Sequence, residues 1–149
     1  AEESNTRYAQ GGIASAMGKD DSFDLHVEDT MQAGAGLCHR DIVELCVRSA
    51  PAGIRWLVEQ GVSFSTVASE ESVEFDFGRE GGHSRRRVLH VQDLTGRDIE
   101  RVLVARCRED ANISILEDTL GIDLFLSADC GGRARVGGAF VADRNGGEV

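Results

Sequence analysis

The stretch NTRYAQGGIA at residues 5–14 decides how the rest of this sequence is interpreted. It places a polar amide and two consecutive glycines directly before a run of small and apolar residues. Glycine has no Cβ, so a ligand or another backbone can approach it closely, and the free N–H groups of a helix start can bind an anion. We therefore expect a helix to begin after Gly12 and the preceding segment to contact a ligand. A flexible loop before a helix is the alternative that the pattern leaves open.

The balance of charges is acidic. The chain has 149 residues, of which 16 are basic and 26 acidic, giving a formal net charge of −10. This charge disfavours contact with the phosphates of nucleic acids. No apolar run approaches the roughly 20 residues that cross a bilayer. We therefore expect one domain that binds neither nucleic acid nor membrane.

The cysteines and histidines indicate no metal site. The four cysteines form no CxxC pair, and the four histidines are scattered along the chain. Metal sites need such ligands at close spacing, so we predict none. Buried, reduced thiols are typical of intracellular proteins, and the sequence opens without the apolar stretch of a signal peptide. Both observations favour a cytoplasmic location.

Apolar periodicity predicts several helices. A helix over about 22–34 has N-cap candidates in Asp20, Asp21 and Ser22 and stops near the glycines at 34 and 36. A second helix starts at Arg40 and is interrupted by Pro51, which opens a third helix that stops at Gly61. A further helix is capped by Thr95. These segments predict a helical pair early in the chain.

Alternating apolar residues predict strands elsewhere. A hairpin over 62–78 has the polar loop 69–72, and a short strand covers 88–91. Strand patterns follow around Ile113 and Ile115, over 122–126 and over 136–141, and Asn145-Gly146 is typical of a hairpin turn. The predicted fold class is therefore α/β, a mixed α+β arrangement of a helical pair with β-hairpins and strands.

A second stretch whose residues can bind a ligand is GREGGHSRRR at residues 78–87. Its glycines allow a tight turn that presents Glu80 and His83. A carboxylate there can pair with a cationic ligand group, and the arginines suit carboxylates or phosphates. For each of the arginines at 85–87, a solvated position on the surface is the interpretation that we favour.

The motifs together resemble those of the L-aspartate oxidases, a family within the succinate dehydrogenase/fumarate reductase flavoprotein superfamily. The resemblance runs in order through most of the chain. Its segments are 5–14 (NTRYAQGGIA), 26–30 (HVEDT), 33–36 (AGAG), 56–62 (WLVEQGV), 79–84 (REGGHS), 89–90 (LH) and 95–97 (TGR).

The resemblance implies a flavin site. It implies FAD as cofactor and places one segment of this chain beside the flavin, with backbone groups in contact. The implied flavin neighbours are Asn5, Thr6, Tyr8, Ala9, Gln10, Gly11 and Gly12. Contacts with the adenosine part of FAD are implied for Leu120 and Gly121.

Two residues distinguish branches of the superfamily. Succinate dehydrogenases carry a histidine, bonded covalently to the flavin, where this chain has Asn5, so the resemblance implies a noncovalent flavin. Glu80 corresponds to a glutamate that orients the α-amino group of the substrate. The implied reaction is oxidation of L-aspartate to iminoaspartate in de novo NAD biosynthesis, with oxygen or fumarate as electron acceptor. A carboxylate about 4 Å from the ammonium favours aspartate over succinate by up to roughly 4 kcal/mol at an effective dielectric near 20.

The same resemblance implies an incomplete domain. Family members begin with a strand–GxGxxG–helix unit, which this sequence lacks. We therefore expect residues 1–149 to be part of a Rossmann-like FAD-binding domain, without the capping domain and the C-terminal helical domain, and inactive alone. Two alternatives stay open: a fumarate reductase-like or succinate dehydrogenase-like protein with noncovalent flavin, and a free-standing module that binds an anion at residues 78–87.

Overall fold

The computed structural model describes residues 4–68, 73–92, 94–128 and 132–143. It divides the chain into two compact units, Ala1–Asp110 and Ala111–Val149. The elements of the first unit are a 3-10 turn (Thr6–Tyr8), β1 (Ile13–Ala14), α1 (Phe23–Ala33), α2 (Arg40–Gln60), β2 (Thr66–Ala68), β3 (Val73–Phe75), β4 (Phe77–Gly78), β5 (Val88–Leu89) and α3 (Thr95–Glu109). The second unit holds β6 (Thr119–Ala128) and β7 (Ala134–Asp143).

The ends of α1 follow local signals, as predicted. Ser22 is the N-cap, and its hydroxyl accepts a hydrogen bond from the N–H of Leu25 at 3.2 Å. This satisfies one of the donors that every helix start leaves free. After the last turn, Ala35 and Gly36 take positive φ angles of 48° and 91°, which turn the chain towards α2.

Helix α2 is one continuous helix of 21 residues, so the predicted interruption at Pro51 is wrong. Proline inside a helix removes one hydrogen bond and costs about 3 kcal/mol. Here Val47 and Ile54 lie seven residues apart, two helical turns, and both are buried. Burial on both sides of Pro51 therefore holds the helix together. Gly61 ends it with φ of 111°, as predicted.

All strand pairs among the described residues are antiparallel. In the first unit β5 lies between β1 and β4, and β2 pairs with β3 in the predicted hairpin. The hairpin's predicted loop, residues 69–72, lies outside the described residues. The buried core cluster joins this sheet to the helices and consists of Ile54, Val62, Phe64, Leu89 and Val102.

Helix α3 begins differently from the prediction. Thr95 is its first residue rather than its cap, and the N-cap position is Leu94 without a side-chain cap. The Thr95 hydroxyl instead accepts a hydrogen bond from the N–H of Val91 at 3.0 Å. Thr95 is buried, so it joins the end of the β5 region to the start of α3.

The second unit is the hairpin β6–β7, with Thr119 opposite Asp143. The predicted strands over 122–126 and 136–141 are confirmed, but residues 113–116 form no strand. Ile113 and Ile115 are both exposed and gain no paired partner there. The predicted turn at Asn145-Gly146 lies outside the described residues.

The predicted fold class is confirmed as a mixture of helices and antiparallel sheets. Within the described ranges no helix has the length and apolar character that crossing a membrane requires. The same residues bring no three histidine, cysteine or acidic side chains together as metal ligands.

Candidate functional site

The segment 5–12 begins with a tight turn and continues as exposed chain. Hydrogen bonds from Tyr8 N–H to Asn5 O at 3.2 Å and from Ala9 N–H to Thr6 O at 3.1 Å close the 3-10 turn. Gln10 and Gly11 are exposed, and strand β1 follows. The predicted helix after Gly12 is therefore wrong, because the chain pairs with β5 there instead.

Gly12 approaches protein rather than a ligand. A Cβ at this position would overlap the carbonyl of Leu89 and the side chain of Val88. The glycine therefore lets β1 start against β5. The close backbone approach predicted from the sequence occurs, but its partner is a strand of the same sheet.

Gly96 fixes the segment on α3. Its N–H donates to the carbonyl of Ala9 at 3.1 Å. A Cβ on Gly96 would overlap Thr6 O and lie 2.8 Å from the Ala9 Cβ. Any side chain at this position would push the segment away from the helix.

The middle of the segment has the properties that a flavin contact needs. The N–H groups of Gln10 and Gly11 form no hydrogen bonds with any residue that the structure describes. Both residues are exposed, and the glycine has no side chain to block an approach. Free donors on an accessible, fixed backbone fit the polar edge of a cofactor such as FAD.

Glu80 lies against this segment. A Cβ built on Gly11 would be 3.8 Å from the Glu80 Oε1 atom. Glu80 is exposed and its carboxylate has no ion-pair or hydrogen-bond partner within the described ranges. The fold thus brings together the predicted substrate residue and the predicted flavin segment, although 69 positions separate residues 80 and 11 in the sequence.

The turn that carries Glu80 is closed by its own hydrogen bonds. His83 N–H donates to the carbonyl of Glu80 at 3.3 Å, and Arg79 Nε donates to the carbonyl of His83 at 2.8 Å. Gly82 has φ of 84°, a conformation that L side chains rarely adopt. We call residues 79–84 the Glu80 turn.

The three arginines after the turn do not share one environment. Arg85 and Arg86 are exposed and donate to the carbonyls of Asp20 (3.1 Å) and Phe77 (2.8 Å). Arg87 is 0% exposed, so its predicted solvated position is wrong. Its guanidinium forms ion pairs with Asp21 at 2.8 Å and with Asp29 at 2.6 Å.

Two histidines adjoin this buried arginine. Nδ1 of His83 lies 3.5 Å from Arg87 Nη1, and the rings of His26 and His83 are 5.8 Å apart. Burial lowers the pKa of His26, and the charge of Arg87 lowers that pKa further. The Nδ1 atom of His26 is buried and has no hydrogen-bond partner within the described chain. His26 therefore favours the uncharged form.

Leu120 and Gly121 lie in the second unit, near the start of β6. They are exposed and pair across the hairpin with Ala142 and Val141. Their predicted contact with adenosine stays a prediction.

Sequence reasoning missed Asp21 and Asp29, the partners of Arg87. They precede it by 66 and 58 positions, and nothing local identifies them. One signal was available, because Arg87 directly precedes the apolar pair Val88-Leu89 of a predicted strand. An arginine entering a buried strand needs buried carboxylates.

Comparison with known proteins supports the flavin interpretation. Residues 1–149 match the family model described as "FAD binding domain". The chain is similar to L-aspartate oxidase of Yersinia pestis, with 44% identity over 145 residues, which cover 95% of this chain and 27% of that protein. It is also similar to L-aspartate oxidase of Pseudomonas aeruginosa, with 40% identity, covering 99% of this chain and 28% of that protein. The chain therefore spans about a quarter of the length of these relatives.

Solved structures of the superfamily share the fold. The Sdh1 complex of Mycobacterium smegmatis in the apo form matches with a TM-score of 0.80 and 28% identity, over 96% of this chain and 25% of that chain. A quinol-fumarate reductase with menaquinol molecules matches with a TM-score of 0.81 and 26% identity, over 95% of this chain and 23% of that chain. With the family match along its whole length, this chain belongs to the FAD binding domain family.

Proposed function

We propose that this chain is part of the FAD-binding domain of an L-aspartate oxidase, which we call the parent enzyme. The parent enzyme would oxidise L-aspartate to iminoaspartate, pass the electrons to oxygen or fumarate, and so serve de novo NAD biosynthesis. The names of the relatives support this proposal, since they are L-aspartate oxidases at 38–44% identity. A cytoplasmic location stays a prediction from the sequence.

One observation carries the proposal: the Glu80 carboxylate stands beside the free backbone donors of the predicted flavin segment. Its Oε1 atom lies 3.8 Å from the Cβ position of Gly11. A reacting molecule must contact both the cofactor and the group that selects it. The adjacency supplies both contacts at one place on the surface.

The free donors of the segment fit FAD. When bound, FAD supplies the two-electron oxidation chemistry, and the protein supplies binding and orientation. The N–H groups of Gln10 and Gly11 would hold the cofactor through hydrogen bonds. Asn5 has an amide side chain, which is no nucleophile, so we propose noncovalent FAD.

Glu80 would select the substrate by charge. L-aspartate differs from succinate by one ammonium group, and an exposed, unpaired carboxylate attracts that group. The same carboxylate repels the extra negative charge of a dicarboxylate without an ammonium. Selectivity arises from the difference between these two affinities. Glu80 thus orients Cα and excludes the wrong acid.

The test is Glu80→Gln in the parent enzyme. The change keeps size and hydrogen-bonding capacity but removes the charge. Losing a charge-assisted hydrogen bond costs roughly 1.5–3 kcal/mol, so kcat/KM for L-aspartate should fall by about 10- to 100-fold. Succinate and fumarate should bind equally well or more tightly. Glu59→Gln, an exposed glutamate on α2, is the matched control and should change neither.

Two outcomes would contradict the proposal. If affinities for L-aspartate and succinate fell together, Glu80 would serve the structure of its turn rather than selection. If the unchanged parent enzyme turned over succinate or fumarate but not L-aspartate, the fumarate reductase-like alternative would replace the oxidase.

The mode of flavin attachment has its own test. Acid or heat denaturation of the parent enzyme should release the flavin into solution, because Asn5 offers no atom for a covalent bond. Flavin fluorescence that stays with the protein band on a denaturing gel would disprove noncovalent attachment.

A further inference from the structure

The Glu80 turn is held at both of its ends. The Glu80 carboxylate has no polar partner within the described ranges, and a Cβ at Gly81 would meet no atom within 4 Å. Ser84, at the end of the turn, makes its contacts on α1 instead. The first end of the turn continues β4, where the carbonyl of Gly78 accepts a hydrogen bond from Arg87 N–H at 3.1 Å. The position of Glu80 therefore depends on β4 at one end of the turn and on the contacts of Ser84 at the other.

Asp29 on α1 receives the contacts of Ser84. Its Oδ2 atom accepts hydrogen bonds from the Ser84 N–H at 2.7 Å, from the Ser84 hydroxyl at 2.8 Å and from Arg87 Nη1 at 2.6 Å. One carboxylate oxygen therefore ties the turn to the helix and to the buried arginine. Its side chain is 15% exposed.

Arg87, which donates to Asp29, is itself held in place by Asp21. Its Nε and Nη2 atoms donate to the two carboxylate oxygens of Asp21, each at 2.8 Å, in a bidentate pair. Both side chains are fully buried. Such paired geometry fixes orientation as well as distance, and this arginine cannot rotate without breaking bonds to both carboxylates.

Asp29 keeps its charge in this setting. Burial by itself raises the pKa of the Asp29 carboxyl, but the hydrogen bonds from Ser84 and Arg87 outweigh it and lower the pKa below its ordinary value. The charged groups that face it are Arg87 and, across the guanidinium, Asp21. A charged acceptor makes each of the three hydrogen bonds stronger.

We propose that Asp29 is a positioning residue that holds Glu80 at the substrate position through Ser84 and Arg87. This inference rests on the proposed function and deepens it. The Glu80 turn is closed by its own hydrogen bonds, so a displacement at Ser84 moves the whole turn. Misplacing a reacting or selecting group by about 1 Å can cost about 100-fold in rate.

The experiment compares Asp29→Asn with Asp24→Asn in the parent enzyme. Both aspartates lie on α1, but the contact of the Asp24 carboxylate within the described chain is an exposed ion pair with Arg48 at 3.2 Å. Asp29→Asn should lower kcat/KM for L-aspartate by about 10- to 100-fold, mainly through KM, and change succinate affinity far less. Asp24→Asn should change neither quantity.

A double-mutant cycle separates positioning from general damage. If Asp29 acts through Glu80, Asp29→Asn should have little further effect in the Glu80→Gln background. Equal losses in both backgrounds would overturn the proposal. Ser84→Ala removes one of the three hydrogen bonds and should show the same non-additivity with a smaller loss, should Asp29→Asn fail to fold.

Hydrogen exchange gives a readout that does not depend on activity. Amides 80–84 should exchange faster in Asp29→Asn than in the unchanged enzyme, while the amides of Phe23–Ala33 keep their rates. Unchanged exchange at 80–84 would overturn the proposal whatever the substrate is. Faster exchange there, together with a Glu80→Gln variant that keeps its preference for L-aspartate, would count against the proposed function alone.

Discussion

The Glu80 turn and the segment 5–12 are both glycine-containing loops that meet at Gly11, but they are supported in different ways. The residues that follow the Glu80 turn bury a guanidinium between two carboxylates. The segment 5–12 is tied to α3 by the hydrogen bond from Gly96 N–H to the Ala9 carbonyl, and the N–H groups of Gln10 and Gly11 have no partner among the described residues. The Glu80 turn thus presents one unpaired carboxylate on a support of buried ion pairs, whereas the segment 5–12 presents unpaired backbone donors.

Under the proposed function, one loop selects the substrate and the other binds the cofactor. A carboxylate that selects a substrate must keep its distance from the reacting atoms, which calls for a rigid support. Backbone donors that hold a cofactor must stay unpaired until it binds, which calls for exposure. Variants of Arg87, Gly96, His26 and Gln10 test this division.

Arg87→Leu should have the largest effect on the fold. It leaves two carboxylates without their cation, and breaking a buried ion pair costs about 3–5 kcal/mol. The free energy of local opening at Val88 and Leu89, measured by hydrogen exchange in the parent enzyme, should fall by that amount. Arg86→Leu, which loses one surface hydrogen bond to Phe77, should cost about 1 kcal/mol or less. Equal losses would mean that the buried network supports nothing.

Gly96→Ala should be the next largest. The added methyl overlaps the carbonyl of Thr6, and overpacking typically costs about 1–3 kcal/mol. The segment 5–12 would move, so the flavin affinity of the parent enzyme should fall as well. Gly53→Ala is the matched control, because it is also a helical glycine but a Cβ there meets nothing within 4 Å. That change should stabilise α2 by about 0.5–1 kcal/mol. Stabilisation by both variants would show that the segment does not depend on α3.

The sequence predicted best what neighbouring residues decide. Ser22 and Gly61 set the ends of their helices through bonds within a few residues, and both predictions are confirmed. The helix expected after Gly12 is wrong because Leu89, far along the chain, offers strand pairing. Pro51 stays helical because buried side chains on both sides outweigh its local cost.

In the candidate site, too, long-range contacts were harder to predict than local ones. The family resemblance assigned Glu80 to the substrate and the segment 5–12 to the flavin, and the structure places the two side by side. The burial of Arg87 could not be predicted, because its partners Asp21 and Asp29 come from the region of α1, 66 and 58 positions earlier. Long-range pairing of charges leaves little local trace.

His26 should make the support of the Glu80 turn sensitive to acid. Its pKa in the folded protein is lowered from 6.5, by burial first and then by the charge of Arg87. The unfolded state therefore binds more protons, and stability is full above about pH 6.5 and falls as the pH drops below that value. Local opening of α1 should follow this slope by hydrogen exchange, and His26→Leu should flatten it. His39→Leu, at the exposed start of α2, is the control. An unchanged slope in His26→Leu would assign the acid sensitivity to other groups.

The smallest effect on folding is expected at Gln10, where the comparison is sharpest. Gln10→Ala keeps the backbone N–H, whereas Gln10→Pro removes it. Ala9 has φ of −71° and ψ of 114°, an extended conformation that tolerates a following proline. As surface changes, both should alter unfolding free energy by only about 0.5 kcal/mol. Flavin binding by the parent enzyme should distinguish them, since losing one hydrogen bond costs about 0.5–1.5 kcal/mol. Flavin titration should then give an affinity about two- to tenfold weaker for the proline variant and unchanged for the alanine variant.

If alanine weakened binding as much as proline, the side chain would hold the flavin and the exposed backbone would not. If neither variant weakened flavin binding, the N–H groups of this segment would not bind the flavin. The proposed assignment of the cofactor to the segment 5–12 would then be wrong.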